Sequence, residues 1–317
     1  MKILLTGCTG FIGSSIAKTL LADNHEIHAA IRPNSDLWRI LDVKDELNIH
    51  YMELNSVDKI REVLEKNRID TVVHTVGVVR GFSLKDQENV IDYNFQLTVN
   101  VLNAAALSPN VNLFINTGTS REYGSDESPL LETKQEEPND LYSLSKLAGT
   151  YYTRIIGKSN NLTTVTLRIF TPYGPFDSLP KLIPYVIVNS MTKSPIFINT
   201  PYSRRDYIHV ADIALAYSLI LKSYQNIEKG DVFNIGSGKC TTTADLTSMI
   251  TDIMGTRNLV KMNNEQIIND KHFSLCSSNE KAKQKLKWIP KYPLKDGIKN
   301  TVDWYVENLE KFESRYK

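Results

Sequence analysis

Gly7, Gly10 and Gly13 stand at intervals of three between an apolar run at 2–6 and a helical stretch at 12–22. A chain that passes from a buried strand into a helix through such glycines has few folds open to it. Without a Cβ the backbone turns sharply, and the positive end of the helix stays open to an anion such as a pyrophosphate. The spacing alone is common. Its place after the first strand and before the first helix predicts a dinucleotide-binding βαβ unit.

The same rhythm continues downstream. Strand-like runs are predicted at 2–6, 26–31, 49–54, 71–75, 113–117 and 163–170, with helices at 12–22, 57–66, 88–107 and 141–158. That alternation predicts an α/β fold, a Rossmann-type doubly wound parallel sheet covered on both faces. After Phe170 the pattern breaks, and Pro172, Pro175, Pro180, Pro184, Pro195 and Pro201 punctuate a less regular region. We therefore expect residues 1–170 plus about 206–235 to form the dinucleotide domain, and about 171–205 with 236–317 a smaller α/β substrate lobe.

Composition removes several other classes. The formal net charge of +1 gives no global field to recruit nucleic acid or an anionic membrane. The chain enters a strand directly, without a signal segment, and no apolar run is long enough to span a bilayer, so the cytoplasm is the expected location. Cys8, Cys240 and Cys276 lack metal-ligand spacing and are expected to be free thiols in a reducing compartment, with no metal site.

The end of the second strand bears on the cofactor. A carboxylate there would bind a ribose 2′-hydroxyl and repel a 2′-phosphate. Ile31 stands in that place, Arg32 follows and Ser35 is close by. A guanidinium pairs well with a phosphate dianion, so NADP, with NADPH as hydride donor, is expected over NAD.

Tyr142 and Lys146 are four residues apart in a helical stretch and so share a face. A phenol with a pKa of about 10 is a poor proton donor or acceptor at neutral pH. An ammonium about 5 Å away, at an effective dielectric of about 20, favours phenolate by about 3 kcal/mol, or about two pKa units. Upstream, the run at 113–119 ends in hydroxyl residues, among them Thr117 and Thr119, with Ser120 next.

Further segments extend the pattern: Thr119-Ser120-Arg121-Glu122-Tyr123-Gly124, Glu132 with Pro138 before Tyr142, and Leu167-Arg168-Ile169-Phe170-Thr171-Pro172-Tyr173-Gly174-Pro175. Later come Arg205-Asp206-Tyr207-Ile208-His209-Val210-Ala211-Asp212, Phe233-Asn234-Ile235-Gly236-Ser237-Gly238 and Leu286-Lys287-Trp288. With these, nearly the whole chain resembles an extended short-chain dehydrogenase/reductase of the nucleotide-sugar epimerase/dehydratase group. The resemblance implies a catalytic set of Thr119, which hydrogen-bonds the reacting oxygen, Tyr142, which exchanges its proton, and Lys146, which holds the nicotinamide ribose. It implies cofactor contacts from Gly7, Thr9, Gly10, Phe11, Ile12 and Gly13, from Glu53, Leu54, Thr75, Val76 and Gly77, and from Asn94, Thr117 and Phe170. Substrate contacts are implied for Thr119, Ser120, Arg121, Thr171 and Arg205, with Arg80 within reach.

Three reactions share this scaffold. The 4,6-dehydratases carry an Asp-Glu pair after the catalytic Thr, where this chain has Ser120 and Arg121. Glu122, on a segment expected to be extended, should face the other way. Elimination then lacks its acid and base. Ile31 and Arg32 favour reduction with NADPH over 4-epimerisation, and the finer likeness is to the 4-reductases of CDP- or dTDP-4-keto-6-deoxyhexoses, which supply deoxysugars for surface polysaccharide such as O-antigen or for glycosides. A 4-epimerase, a reductase of a non-sugar carbonyl and a non-catalytic NADP-binding sensor remain as alternatives. Thr171, His272 and Ser278 depart from the family's usual residues, which leaves the nucleotide and sugar open. Apolar positions in 88–107 and 141–158 fit the family's homodimer bundle as well as a core.

Overall fold

The structure, a computed structural model, describes residues 1–78, 90–126, 129–262 and 274–312. Strands Lys2–Thr6 (β1), Glu26–Ile31 (β2), Asn48–Tyr51 (β3), Thr71–His74 (β4), Leu113–Thr119 (β5) and Thr163–Ile169 (β6) join Asp231–Ile235 in a seven-stranded sheet. The spatial order is β3-β2-β1-β4-β5-β6 followed by Asp231–Ile235, and every pairing is parallel. This is the doubly wound order, with the strand direction of connection reversing beside β1.

Because side chains alternate along a strand, each face of the sheet has its own core. Ile3, Leu5, Ile27, Ile31, Ile115 and Leu167 pack on one face, with Ile16 and Leu20 of Phe11–Ala22 (α1) and Ile213 and Ile220 of helix Val210–Ser223. Leu4, Ala30, Val72 and Phe114 pack on the other, against Ile60 and Leu64 of Val57–Lys66 (α2) and Val101 and Leu102 of Leu97–Leu107 (α3). Burial on both faces explains why these strands read as continuous apolar runs.

One helical expectation needs adjustment and another holds. The predicted helix at 88–107 is interrupted by a wide π turn at Asp92–Gln96 before α3; its residues 88 and 89 lie outside the described residues. The last predicted helix forms as Leu141–Ser159 (α4), capped by Asp140, whose carboxylate accepts from Ser143 N at 2.7 Å.

A second, smaller sheet is built on Arg204–His209, which pairs with Thr171–Tyr173, Cys240–Thr242 and Ser274–Leu275. Its alternating residues divide their allegiance. Ile208 joins the main core, while Tyr207 joins a separate cluster with Ile183, Ile196, Leu246, Ile250 and Ile298. The expectation of three free thiols is corrected here. Cys240 and Cys276 form a disulfide, their Cα atoms 5.4 Å apart, where the strands flanking Arg204–His209 converge. Cys8 stays free and buried, and burial pushes its thiol up to about 12, so it packs and does not react. Among the described residues no helix is long and apolar enough to cross a membrane, and no cluster of His, Cys, Asp and Glu could hold a metal ion.

Candidate active site

The glycine loop is shaped by close approach. Gly7 has φ +75°, and a Cβ there would lie 2.6 Å from Thr75 Oγ1. On Gly13 a Cβ would lie 2.2 Å from the Gly7 carbonyl oxygen. Gly10 donates its N–H to Gly7 O at 2.9 Å and begins α1 without any side-chain cap. No side chain caps the N-terminal end of α1, so its first-turn N–H groups are available to an anion.

Beside this loop opens a cavity of about 350 Å³. Gly7, Thr9 and Gly10 line it from the loop, and Ile31, Arg32 and Ser35 from the end of β2. Glu53 and Leu54 line it after β3, and Thr75, Val76 and Gly77 after β4. All converge at the carboxyl ends of the strands, next to the point where the strand order reverses. The shape and donor set fit a dinucleotide: a backbone cradle that a Cβ would fill, an uncapped helix end, and a cation at the rim. Phe11 and Ile12 lie in the first turn of α1, with the Lys181 ammonium 4.7 Å from the Phe11 ring centroid.

Asn94 sits in the π turn and anchors the adjacent segment. Its Oδ1 accepts from Val78 N at 2.7 Å, and its Nδ2 donates to Val78 O at 3.0 Å and Ser145 Oγ at 3.1 Å. The segment after β4 is thereby tied to α4 one residue before Lys146. His74 is buried between Thr6 Oγ1, at 2.8 Å, and Thr98 Oγ1, at 3.2 Å; burial and the Lys146 charge push its pKa down to about 3. Two expected cofactor residues are engaged elsewhere. The Thr117 hydroxyl donates to His74 O at 2.8 Å and meets Tyr217 Oη at 2.7 Å. The Phe170 ring lies in the main core, 1% exposed.

Thr119 closes β5 and caps a 3₁₀ turn, Ser120–Tyr123, so this segment is not the extended one expected. Thr119 Oγ1 accepts from Arg121 N at 3.3 Å, and Thr119 N donates to Glu122 Oε1 at 2.9 Å. Glu122 curls under the turn, where Arg168 holds its carboxylate while its charge still acts on Tyr142 and Lys146. Its Oε2 accepts from Arg168 Nε at 2.8 Å and from Thr150 Oγ1 at 3.0 Å, and the carboxylate is fully buried. Arg168 also pairs with Glu136 at 2.5 Å.

Tyr142 projects from the first turn of α4, half-buried, with Lys146 one turn on and 5% exposed. The expected pull of Lys146 on the phenol is corrected. Burial of the ring dominates and holds the phenol above its ordinary value; a hydrogen bond with Thr119 and the Arg121 charge act the other way. Burial also pushes Lys146 itself down to about 8, with Glu122 opposing, which weakens it as a fixed charge.

Ser120 is buried beside Thr119, and the half-buried Arg121 pairs with Asp140. Arg205 lies half-buried on Arg204–His209, its pKa lowered by burial and by the Arg121 charge. Its neighbour Asp206 is turned inward, accepting from Ser237 N at 2.7 Å, Gly238 N at 3.0 Å and Ser277 N at 3.1 Å. Thr171 pairs in register with Tyr207. Arg80 and His272 lie outside the described residues.

Sequence reasoning passed over Arg168, Asp140 and Arg39. Asp140 had a readable signal, an acidic N-cap three residues before Ser143. Arg39 bridges the glycine loop and the segment after Thr171–Tyr173, donating from Nη1 to Thr9 O at 3.4 Å and from Nε to Phe176 O at 3.0 Å. Nothing local in the sequence announces that contact.

The family profile described as the NAD dependent epimerase/dehydratase family matches residues 3–236. A trifunctional UDP-glucose 4,6-dehydratase/UDP-4-keto-6-deoxy-D-glucose 3,5-epimerase/UDP-4-keto-L-rhamnose-reductase of Arabidopsis thaliana is 27% identical over 98% of this chain and 47% of its own length. The chain thus spans about half of that relative. A UDP-glucose 4-epimerase of Corynebacterium glutamicum is 27% identical over 92% of both chains. In fold, the chain is similar to dTDP-glucose 4,6-dehydratase of Bacillus anthracis in complex with NAD, with a TM-score of 0.87 and 24% identity over 99% of each chain. Profile, loop geometry and strand order agree: the chain belongs to the NAD dependent epimerase/dehydratase family.

Proposed function

We propose that this chain is an NADPH-dependent reductase of the C4 ketone of a nucleotide-linked 4-keto-6-deoxyhexose. Residues 1–170 and about 206–235 hold the cofactor, and about 171–205 with 236–317 the sugar nucleotide. The observation that carries the reading is Arg32 beside Ile31 and Ser35 on the wall of the glycine-loop cavity. A cation there attracts a 2′-phosphate, and the absence of a carboxylate at Ile31 removes the usual grip on a 2′-hydroxyl. Reductive enzymes draw on NADPH and release the spent cofactor, which gives the reaction its direction.

NADPH, when bound, supplies the hydride for C4. Thr119 Oγ1 accepts from the Arg121 N–H, and its O–H, which meets the Tyr142 phenol in the free protein, turns to the C4 oxygen when substrate is bound. Tyr142 transfers its phenolic proton to that oxygen as negative charge develops. Lys146 and Asn94 flank the segment at Gly77, where a Cβ would lie 3.8 Å from Lys146 Nζ and 3.5 Å from Asn94 Oδ1. Arg205 supplies positive charge for the diphosphate. Dehydration is disfavoured because Ser120 and Arg121 follow Thr119 and because Glu122 is committed to Arg168.

The test is incubation with NADPH and CDP-, dTDP- and GDP-linked 4-keto-6-deoxyhexoses, following cofactor oxidation and the configuration at C4. Oxidation with one of these substrates supports the reading. A second reading, 4-epimerase, is favoured by the Corynebacterium glutamicum relative; turnover of a 4-hydroxy sugar nucleotide without added cofactor would select it. We also propose a homodimer, since Leu144, Tyr151 and Ile155 leave an exposed apolar stripe along α4. A monomer mass in light scattering would remove that part.

A further inference from the structure

The 3₁₀ turn after Thr119 and the first turn of α4 are joined at one place by charge. Arg121 pairs with Asp140, and its guanidinium carbon lies 5.7 Å from the centroid of the Tyr142 ring. Asp140 holds the other end of the clamp, because the same carboxylate caps α4 through Ser143 N at 2.7 Å. Arg121 N meanwhile fixes Thr119 Oγ1 at 3.3 Å. One residue thus touches the proton-transfer hydroxyl through its backbone and the proton-transfer phenol through its side chain.

We propose that Arg121 is a positioning residue for Thr119 and Tyr142, and that the Arg121–Asp140 pair sets the acidity of the Tyr142 phenol.

Several charged and polar groups face the phenol. Lys146 lies one turn on in α4, Thr119 comes from β5, Arg121 and Glu122 come from the 3₁₀ turn, and Asp140 from the cap. Arg205 bears on Arg121 from the second sheet. Of the cations here, Lys146 is weakened by its own burial, with a pKa near 8. A guanidinium stays charged throughout the working range. Its attraction to phenolate is tempered by Asp140, which opposes it from the far side of the pair.

The two partners make opposite predictions. Arg121→Gln removes the cation, so Tyr142 titrates about one pH unit higher and kcat falls about tenfold as the acid weakens. Asp140→Ser keeps a capping side chain but removes the opposing charge, so Tyr142 titrates about half a unit lower. Arg121→Lys keeps the charge and stays near wild type in titration, while losing the planar fork. The phenol is read by ultraviolet difference titration of the unliganded protein, each variant measured against its own Tyr142→Phe counterpart.

The kinetic arm rests on the proposed reductase reading, using NADPH and the substrate that it turns over; the titration does not, so failure of one is distinguishable from failure of the other. Opposite shifts for Arg121→Gln and Asp140→Ser support the proposal. Shifts in the same direction, or none, overturn it, because a purely structural clamp would lose activity in both variants without moving the phenol in opposite senses. Should Arg121→Gln fail to fold, Asp140→Ser against Arg121→Lys still reads the sign: a downward shift in the first alone supports the proposal, and any other pattern overturns it.

Discussion

Glu122 and Arg168 form a fully buried ion pair beneath Thr119: one carboxylate oxygen accepts from Arg168 Nε at 2.8 Å and the other from Thr119 N at 2.9 Å. The end of β5 is therefore held by a charge network that spans two neighbouring strands. Replacing Arg168 with Met strands the Glu122 carboxylate in a dry site, and we expect a loss of about 3–5 kcal/mol in urea unfolding. Adding Glu122→Gln should recover a large part of that loss. A single-variant change below about 1 kcal/mol would show the pair to be dispensable.

Tyr142→Phe keeps the ring and removes the acid. The expected outcome is a fall in kcat of about 10²–10⁴ with NADPH affinity little changed. Steady-state kinetics beside fluorescence titration of the cofactor separates the two. Retention of full turnover would take the proton donor elsewhere.

Arg32→Ala should weaken NADPH binding about 10–100-fold, the loss expected when a charge-assisted hydrogen bond worth about 1.5–3 kcal/mol is removed. NADH affinity should not change, since NADH lacks the 2′-phosphate. Calorimetric titration of both nucleotides checks the pair of outcomes, and equal weakening of both would contradict the assignment.

His74 links acidity to stability. Its folded pKa, about 3, lies below the 6.5 of a free imidazole, so below pH 6.5 the unfolded chain takes up a proton that the folded chain refuses. The stabilisation is complete above pH 6.5 and is lost as pH falls toward about 3. Each pH unit in that window costs about 1.4 kcal/mol for this one proton. His74→Asn should flatten that part of the stability profile, measured by urea unfolding at pH 7, 6 and 5. An unchanged slope would remove His74 as its source.

The disulfide is open to direct counting. Thiol titration of the denatured chain should give one thiol before reduction and three after it, matching Cys8 free and Cys240 paired with Cys276. Cys240→Ser is expected to cost about 2–4 kcal/mol. Three reactive thiols without reductant would contradict the pairing.

Much of the fold was legible because buried parallel strands declare themselves as short apolar runs. Lys2–Thr6 and Glu26–Ile31 form over the predicted spans, and six of the seven strands of the sheet follow from the alternation with helices; the seventh, Asp231–Ile235, lies beyond the break in that rhythm. What stayed hidden needed three dimensions. Cys240 and Cys276 are separated by 36 residues and meet only because both strands flank Arg204–His209. The 3₁₀ turn at Ser120–Tyr123 has no periodicity to read, and its Glu122 finds Arg168 only through pairing of β5 with β6. The acidity of Tyr142 was misjudged for a related reason. Spacing puts Lys146 one turn from Tyr142, but the burial that raises the phenol is a property of the packed site.

Strand Arg204–His209 acts as a two-sided ruler. Asp206 is bound to Ser237, Gly238 and Ser277, and Ile208 is seated in the main core, so the period of two leaves Arg205 and Tyr207 on the opposite face, where Tyr207 packs with Ile183, Leu246 and Ile298. Its register cannot drift. A single inserted residue ahead of Arg205 would exchange the faces, sending a guanidinium into the serine nest and a carboxylate to the face of Tyr207, with the charge of both faces inverted and no residue replaced.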